Sequence, residues 1–192
     1  MVTTMRWTTA DLDLMPDDGK RYEIIDGELH VSKQPNWGHQ LVVVRIAGIL
    51  DEWSLRTGAG QANAAPGVIL SNENAVAPDV VWVSAARLPL VLAADGHLHG
   101  PPDLAVEVLS PGVKNVGRDR EAKLKTYSIF GVREYWIVDW PRQAMQVYRR
   151  HQAALTLVQT LQGDDEITSP LLPGFTVPLS QFFAGLANIA DA

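Results

Sequence analysis

Short apolar runs dominate the hydrophobic pattern of this chain, and most of them have the length of a β-strand. Residues 79–83, 104–109 and 134–139 are apolar on both faces, which predicts strands that other elements cover on each side. Residues 144–149 alternate instead and follow a turn at Pro141, so we expect them to pair antiparallel with the strand before them. Further strands are predicted over residues 61–70, 155–161 and 175–177.

A β-hairpin near the N-terminus is predicted from a single dipeptide. Asp26-Gly27 separates two β-prone segments, residues 21–25 and 28–32. Asp-Gly between such segments is a strong signal for a tight turn, because both residues tolerate a positive φ. A short helix capped at Thr8-Thr9 is predicted before the hairpin, over residues 10–15.

Helical spacing of apolar residues appears later in the chain. Over residues 39–56 it predicts a long helix that ends at Gly58 and Gly60. Residues 118–130 are predicted as a second helix and 179–189 as a terminal one, while 84–100 reads as a variable loop with one helical turn. Without repeats or long linkers, the pattern predicts one α/β domain over residues 1–192.

Composition excludes several classes of site and favours a globular protein inside the cell. The 192 residues are 46% hydrophobic and 20% charged, and they include no cysteine, which excludes thiolate nucleophiles and cysteine-ligated zinc. No apolar stretch has the length of a signal peptide or a membrane span, so we expect a cytoplasmic protein. The net charge of −6 argues against a general nucleic-acid coat protein but not against a nuclease, since carboxylates that bind metal are themselves acidic.

Glu107 is the first candidate site residue, because it interrupts the apolar run 104–109. An ionised carboxylate inside a buried strand is costly unless a cation or hydrogen-bond donors hold it, so its position suggests a site. Asp79 heads another apolar strand directly after Pro78. Side chains alternate along a strand, so Glu107 shares a face with Ala105, and Asp79 shares a face with Val81. If the two strands are neighbours, Asp79 can approach Glu107.

Lys123 is the third candidate, chosen over Lys125 by its position on the predicted helix. Lys123, Tyr127 and Phe130 lie at i, i+4 and i+7 and form the stripe expected to pack on the sheet. Lys125 lies on the opposite face, which we expect to be solvated. Two carboxylates and a lysine are the minimum for metal-dependent phosphodiester cleavage, in which the metal activates water and the cation offsets developing charge.

Five stretches of the sequence resemble the Uma2 family (DUF820) of the PD-(D/E)xK nuclease superfamily. They are RYEIIDGEL at 21–29, APDVVWV at 77–83, PPDLAVEVLSP at 101–111, RDREAKLKTYSIFGVREYWIVD at 118–139 and MQVYRR at 145–150. The resemblance covers residues 9 to 180. It implies a restriction-endonuclease-like domain, in which helices flank a mixed central β-sheet, and a nuclease activity that depends on Mg²⁺ or Mn²⁺.

The resemblance also implies roles for single residues. Asp79 is the motif aspartate and Glu107 the motif acid, and the carbonyl of Val108 and the carboxylate of Glu23 are further candidate metal ligands. The lysine usual in the superfamily, two residues after the acid, is Leu109 here. Lys123 on the helix is expected to replace it.

Other polar residues have a structural interpretation beside the functional one. His39 opens the long helix as a cap or lies behind the site, and Tyr127 packs or supports the acids. Lys114, Arg118 and Arg120 either form an ordinary solvated face or line a rim that contacts nucleic acid. Asp103 precedes the strand of Glu107 and favours a turn role.

The sequence therefore predicts an endonuclease that acts on DNA, with two alternatives. One is a nuclease-fold protein without turnover that serves in nucleic-acid binding or in assembly, and the other is a metal-dependent hydrolase of small phosphoesters. A homodimer is expected, because the two strands of a DNA duplex are most simply cut by two active sites. Its contact is predicted either at Phe182-Phe183 or in the loop 84–100.

Overall fold

Thirteen strands and a few helices make up the part of the chain that the structure, a computed structural model, describes: residues 6–109 and 117–186, apart from the side chains of Arg118 and Asp119. The strands are β1 (Arg21–Ile25), β2 (Glu28–Ser32), β3 (Gly60–Ala64), β4 (Val68–Ser71), β5 (Asn74–Val76), β6 (Val80–Ser84), β7 (Leu98–His99), β8 (Leu104–Val108), β9 (Glu134–Asp139), β10 (Ala144–His151), β11 (Ala154–Gln162), β12 (Glu166–Ser169) and β13 (Leu172–Pro178). The α-helices are α1 (Thr9–Leu12), α2 (Trp37–Thr57), α3 (Leu88–Val91) and α4 (Lys123–Phe130).

A six-stranded mixed sheet forms the centre of the fold, in the order β11-β10-β9-β8-β6-β3. β8 pairs parallel with β9 and antiparallel with β6, so it lies inside the sheet with a neighbour on each edge. The pairing of β10 with β9 is antiparallel, as the alternation in its sequence predicted. The mixed central sheet with flanking helices confirms the expected fold class.

The two faces of the central sheet bury different cores, because side chains of a strand alternate between faces. Leu104, Val106 and Val108 pack in a cluster with residues of α2. Ala105 and Leu109 belong to a second cluster on the other face, which includes Tyr127 of α4. Each fully buried aliphatic side chain of this kind contributes about 1.5–3 kcal/mol to stability. Glu107 projects into the second, α4-side face.

The predicted N-terminal hairpin is present and belongs to a separate five-stranded sheet, in the order β2-β1-β5-β4-β7. Its turn residues Asp26 and Gly27 have φ values of 51° and 74°, the left-handed conformation that the Asp-Gly signal anticipates. Ile25 joins the α4-side core. The hairpin thereby brings β1 to the face of the central sheet that carries Glu107.

The strand predicted over residues 61–70 is wrong, because the segment forms two strands in two different sheets. β3 pairs with β6 in the central sheet, whereas β4 pairs with β5 and β7. Pro66 lies between them and has no N–H to donate to a ladder, and Ala65 has a φ of 50°. The chain therefore leaves one sheet at this point and enters the other.

The helix predicted over residues 118–130 is regular only in its second half. Residues Arg118–Ala122 form a π-helical turn, and α4 begins directly after it at Lys123. Gly131 ends α4 with a φ of 94°, in the position predicted for it.

The C-terminal helix predicted over residues 179–189 is a short 3₁₀ helix, Leu179–Phe183, and residues 187–189 lie outside the described part. Phe182 and Phe183 are 0% and 5% exposed within the α2-side core. They dock on the body of the domain, and a symmetric contact of this segment between two copies stays a prediction. In the ranges described, no helix is long and apolar enough to cross a membrane.

Candidate active site

The two predicted acids lie on neighbouring strands at opposed positions. The register of β6 and β8 pairs Val80 with Val106, so one residue further Asp79 stands opposite Glu107. The Val108 N–H donates to Oδ2 of Asp79 over 2.8 Å, which ties the two segments together at this point. The adjacency that the sequence argument had to assume is therefore present.

Glu107 is 2% exposed, and a cation and a hydroxyl hold its carboxylate. Nζ of Lys123 lies 2.8 Å from Oε1 of Glu107, and the hydroxyl of Tyr127 donates to the same oxygen over 2.9 Å. Burial, and then the charge of Glu107, raise the pKa of Tyr127 well above its ordinary value. Tyr127 therefore stays protonated as a hydrogen-bond donor, in the supporting position predicted for it.

Lys123 connects acids from both sheets. Its Nζ also lies 2.9 Å from Oε1 of Glu23 in β1, and that oxygen accepts the N–H of Ala77 over 2.9 Å. Lys123 is 0% exposed, whereas Lys125 is exposed and pairs with Asp26 at the surface. The prediction that Lys123, and not Lys125, faces the sheet is confirmed. Glu23, the further candidate ligand, contacts Lys123.

Asp79 is 3% exposed and contacts two basic side chains in addition to the Val108 amide. Nη1 of Arg21 lies 3.0 Å from Oδ1, and Nε2 of His39 lies 3.2 Å from Oδ2. Burial alone would raise the pKa of Asp79, but the hydrogen bond and charge of His39 and the charges of Arg21 and Lys123 outweigh it and lower the pKa to about 2. Asp79 is therefore ionised at neutral pH.

The start of α2 positions His39. The side chain of Asn36 accepts the N–H of His39 over 2.9 Å and so caps the helix. His39 is 4% exposed, and its Nδ1 is buried with no hydrogen-bond partner among the described residues. Of the two roles that the sequence left open, a position behind the site and a helix cap, the geometry matches the first.

Arg21 belongs to the same cluster, and sequence reasoning missed it. Besides Asp79, its Nη1 donates to the carbonyl of Ala77 over 3.1 Å. One signal was available: Arg21 and Glu23 are two residues apart in a strand and therefore share a face. Once Glu23 is a candidate, Arg21 follows from that alternation.

The predicted nucleic-acid rim is only partly described. Lys114 and the side chain of Arg118 lie outside the described residues. Arg120 is partly exposed, with Nη2 3.9 Å from Oδ2 of Asp139. A contact of these residues with nucleic acid stays a prediction.

The donor set suits a hard divalent cation. Carboxylate and carbonyl oxygens are the ligands that Mg²⁺ and Mn²⁺ prefer, and they are supplied by Asp79, directly before β6, and by Glu107 and the carbonyl of Val108 in β8. Within residues 6–109 and 117–186, no group of three or more His, Asp or Glu side chains is arranged to hold a metal ion. A cation here would thus depend on the carboxylates of Asp79 and Glu107 and on backbone oxygen, with Glu23 as a further candidate ligand.

Comparison with known proteins gives one family and one fold. The sequence profile of Uma2, described as "Putative restriction endonuclease", matches residues 9–180. A crystal structure described as that of "a putative nuclease belonging to DUF820 from Anabaena variabilis ATCC 29413" is similar with a TM-score of 0.73. It shares 17% of residues and covers 92% of this chain and 97% of that chain, a likeness that establishes the fold alone. A search of curated proteins gave no match.

Proposed function

The chain belongs to the Uma2 family, and from this premise we propose that it is a metal-dependent endonuclease that hydrolyses phosphodiester bonds in DNA. One observation carries the proposal. Asp79, directly before β6, stands opposite Glu107 of the adjacent strand β8, and Lys123 is buried against Glu107. A buried group of acids with a lysine among them costs stability, which a purely structural role explains poorly.

Asp79, Glu107 and the carbonyl of Val108 would hold Mg²⁺ or Mn²⁺, with Glu23 as a further carboxylate. When bound, such an ion polarises the phosphoryl oxygen and lowers the pKa of a water molecule. The pKa of about 2 keeps Asp79 ionised and ready to bind a cation without first losing a proton. Arg21 and the Val108 amide fix the orientation of that carboxylate.

Lys123 would act on the attacking water and on the charge that develops at the phosphate. Its ammonium group lies between Glu23 and Glu107, 2.9 and 2.8 Å from an oxygen of each carboxylate. Tyr127 donates to Glu107 from the same helix and so limits the rotation of that carboxylate. The lysine thus reaches the acids from α4 rather than from β8.

Cleavage of supercoiled plasmid DNA by the purified protein in Mn²⁺ or Mg²⁺ tests the proposal. We expect nicking that EDTA abolishes, and we expect Glu107→Gln and Asp79→Asn to lower its rate by at least about 100-fold. Circular dichroism checks that both variants are folded. Calorimetric titration should show that the same variants lose affinity for Mn²⁺.

Glu134→Gln is the matched control, because Glu134 is a buried acid on the neighbouring strand β9. It contacts Trp136, Arg149 and Ser169 rather than the site. Its folded fraction should cleave at the wild-type rate. Unchanged cleavage by Glu107→Gln contradicts the assignment of the site.

Two further outcomes decide between the alternatives. A wild-type protein that binds Mn²⁺ but cleaves neither double-stranded nor single-stranded nucleic acid is a binding or assembly protein with a nuclease fold. Turnover of a chromogenic phosphodiester without plasmid cleavage indicates a hydrolase of small phosphoesters.

A further inference from the structure

One face of α2 is apolar and open to solvent. Trp37, Val44 and Leu55 are 75%, 64% and 78% exposed, and exposed apolar side chains that line up on one surface are typical of contact sites, whereas scattered ones are not. Their spacing in a helix places them on one stripe together with Leu41 and Gly48. The stripe, residues 37–55, is about 27 Å long at 1.5 Å per residue.

Gly48 lies near the middle of this stripe. A Cβ built at Gly48 would meet nothing within 4 Å in the described structure, so intramolecular packing does not require a glycine there. Glycine inside a helix costs about 1 kcal/mol relative to alanine. Its missing side chain permits another helix to approach the backbone closely, which would offset that cost.

The stripe can pack against the same stripe of a second, antiparallel copy. A twofold axis through Gly48 places residue 48−k opposite residue 48+k of an antiparallel copy. Leu41 then faces Leu55 of the second copy, and Arg45 lies within one residue of the position opposite Glu52. Both Arg45 and Glu52 are exposed and lie on the same edge of the stripe. Leu41 thus meets an apolar partner in Leu55, and the charges of Arg45 and Glu52 that come close are opposite.

We propose that α2 is a self-association surface, on which a second copy of this chain packs its own α2 antiparallel about a twofold axis at Gly48. The contact uses the outer face of the helix. His39, which contacts Asp79, lies on the inner face, so the site remains separate from the interface. The two copies of His39 would be about 27 Å apart along the helix axis, since nine residues separate each from Gly48.

The loop 84–100, the other segment predicted to form a dimer contact, offers a smaller exposed apolar surface than α2. Leu90 of α3 is 79% exposed, but α3 has only four residues and offers no extended stripe. Leu90 and Leu55 therefore make a matched pair for a test, because both are exposed leucines on helices of the same protein.

Sedimentation equilibrium of the full chain and its charge variants tests the proposal. The wild type should be a dimer, and Arg45→Glu or Glu52→Arg should each raise the dissociation constant about 100-fold through like charges at two symmetric positions. The double variant Arg45→Glu/Glu52→Arg should return to within a few-fold of wild type. Leu55→Arg should give a monomer, and Leu90→Arg should not.

A wild-type monomer at the highest soluble concentration overturns the proposal, and so does a dimer that Leu90→Arg dissociates and Leu55→Arg leaves intact. Failure of the double variant to restore association contradicts the antiparallel arrangement. The result is independent of the proposed nuclease activity, because mass is measured without substrate. Nicking of plasmid by Arg45→Glu, which needs one strand cut, should persist and distinguishes the two proposals.

Discussion

The two ends of β8 each carry a buried carboxylate, and they hold it by different means. At the beginning of the strand, Asp103 is 0% exposed and contacts two arginines. Nη1 of Arg87 and Nη1 of Arg133 lie 2.9 and 3.1 Å from its Oδ1, and Oδ2 accepts the N–H of Ser84 over 2.9 Å. These contacts tie the chain before β8 to the end of β6 and to the residue before β9.

At the other end, the carboxylates of Glu107 and Glu23 share one lysine, and Asp79 stands opposite Glu107. Here the cation itself is buried: the side chain of Lys123 is 1% exposed, compared with 29% for Arg87 and 53% for Arg133. Burying an ammonium group is costly, whereas a partly exposed guanidinium retains much of its hydration.

The comparison teaches that burial of an acid does not by itself identify a site. Asp103 is as buried as Glu107, yet it contacts two arginines and a backbone N–H that fix loop ends, and within the described ranges no ion pair joins those arginines to a second acid. The Glu107 end gathers acids from β1, the start of β6 and β8 around a buried lysine. We expect the first cluster to control stability and the second to control activity.

Asp103→Asn should give the largest loss of stability, about 3–5 kcal/mol in the free energy of unfolding. The amide cannot accept from Ser84 and both arginines at once, because one of its two heteroatoms is a donor. Urea unfolding measures the effect, and plasmid cleavage per folded molecule should stay at the wild-type level. Loss of cleavage by a folded Asp103→Asn protein breaks the distinction between the two ends.

Lys123→Met should lower the free energy of unfolding by about 3 kcal/mol, because Glu23 and Glu107 lose the cation between them. The rate of plasmid cleavage per folded molecule of Lys123→Met should also fall. Lys125→Met is the control on the same helix: its pair with Asp26 is exposed, so a change below about 0.5 kcal/mol is expected. Equal effects of the two substitutions contradict the assignment of the buried lysine.

The Asp79 carboxylate, whose pKa is lowered from 3.8 to about 2, should contribute about 2 kcal/mol to the free energy of unfolding, and acid should remove this contribution. A lowered folded-state pKa stabilises the protein fully above the unfolded value. This contribution is therefore lost as the pH falls from about 4 to about 2. Urea unfolding of wild type and Asp79→Asn across this range measures it: the gap between them should narrow by that amount. A constant gap contradicts the expectation.

Tyr127→Phe should have the smallest effect, about 1 kcal/mol, since it removes one hydrogen bond to Glu107 and leaves Lys123 in place. The ring packs against Tyr135 at 5.0 Å and is retained in phenylalanine. A modest loss of cleavage is expected from the freer carboxylate. Tyr148→Phe serves as control, and a larger stability loss there than at position 127 contradicts the role given to Tyr127.

Local patterns in the sequence were sufficient for several parts of this structure. The hairpin at Asp26-Gly27 depends on two residues that tolerate positive φ, and the choice of Lys123 over Lys125 depends on helical geometry alone. Both rules act over a few residues, so no distant contact is needed to apply them. The break at Ala65-Pro66-Gly67 lies inside the single strand predicted over residues 61–70, because the β-prone residues on either side of it do not reveal that they join different sheets.

The pattern of residues alone places Glu107 inside a buried strand and Lys123 on the inner side of a helix. It does not say which of these side chains come into contact, which depends on the tertiary fold. The contacts of the site join residues many positions apart. They require that β6 pairs with β8 and that β1 approaches from another sheet. Strand order is set by packing of whole sheets and helices, which no local pattern of side chains encodes.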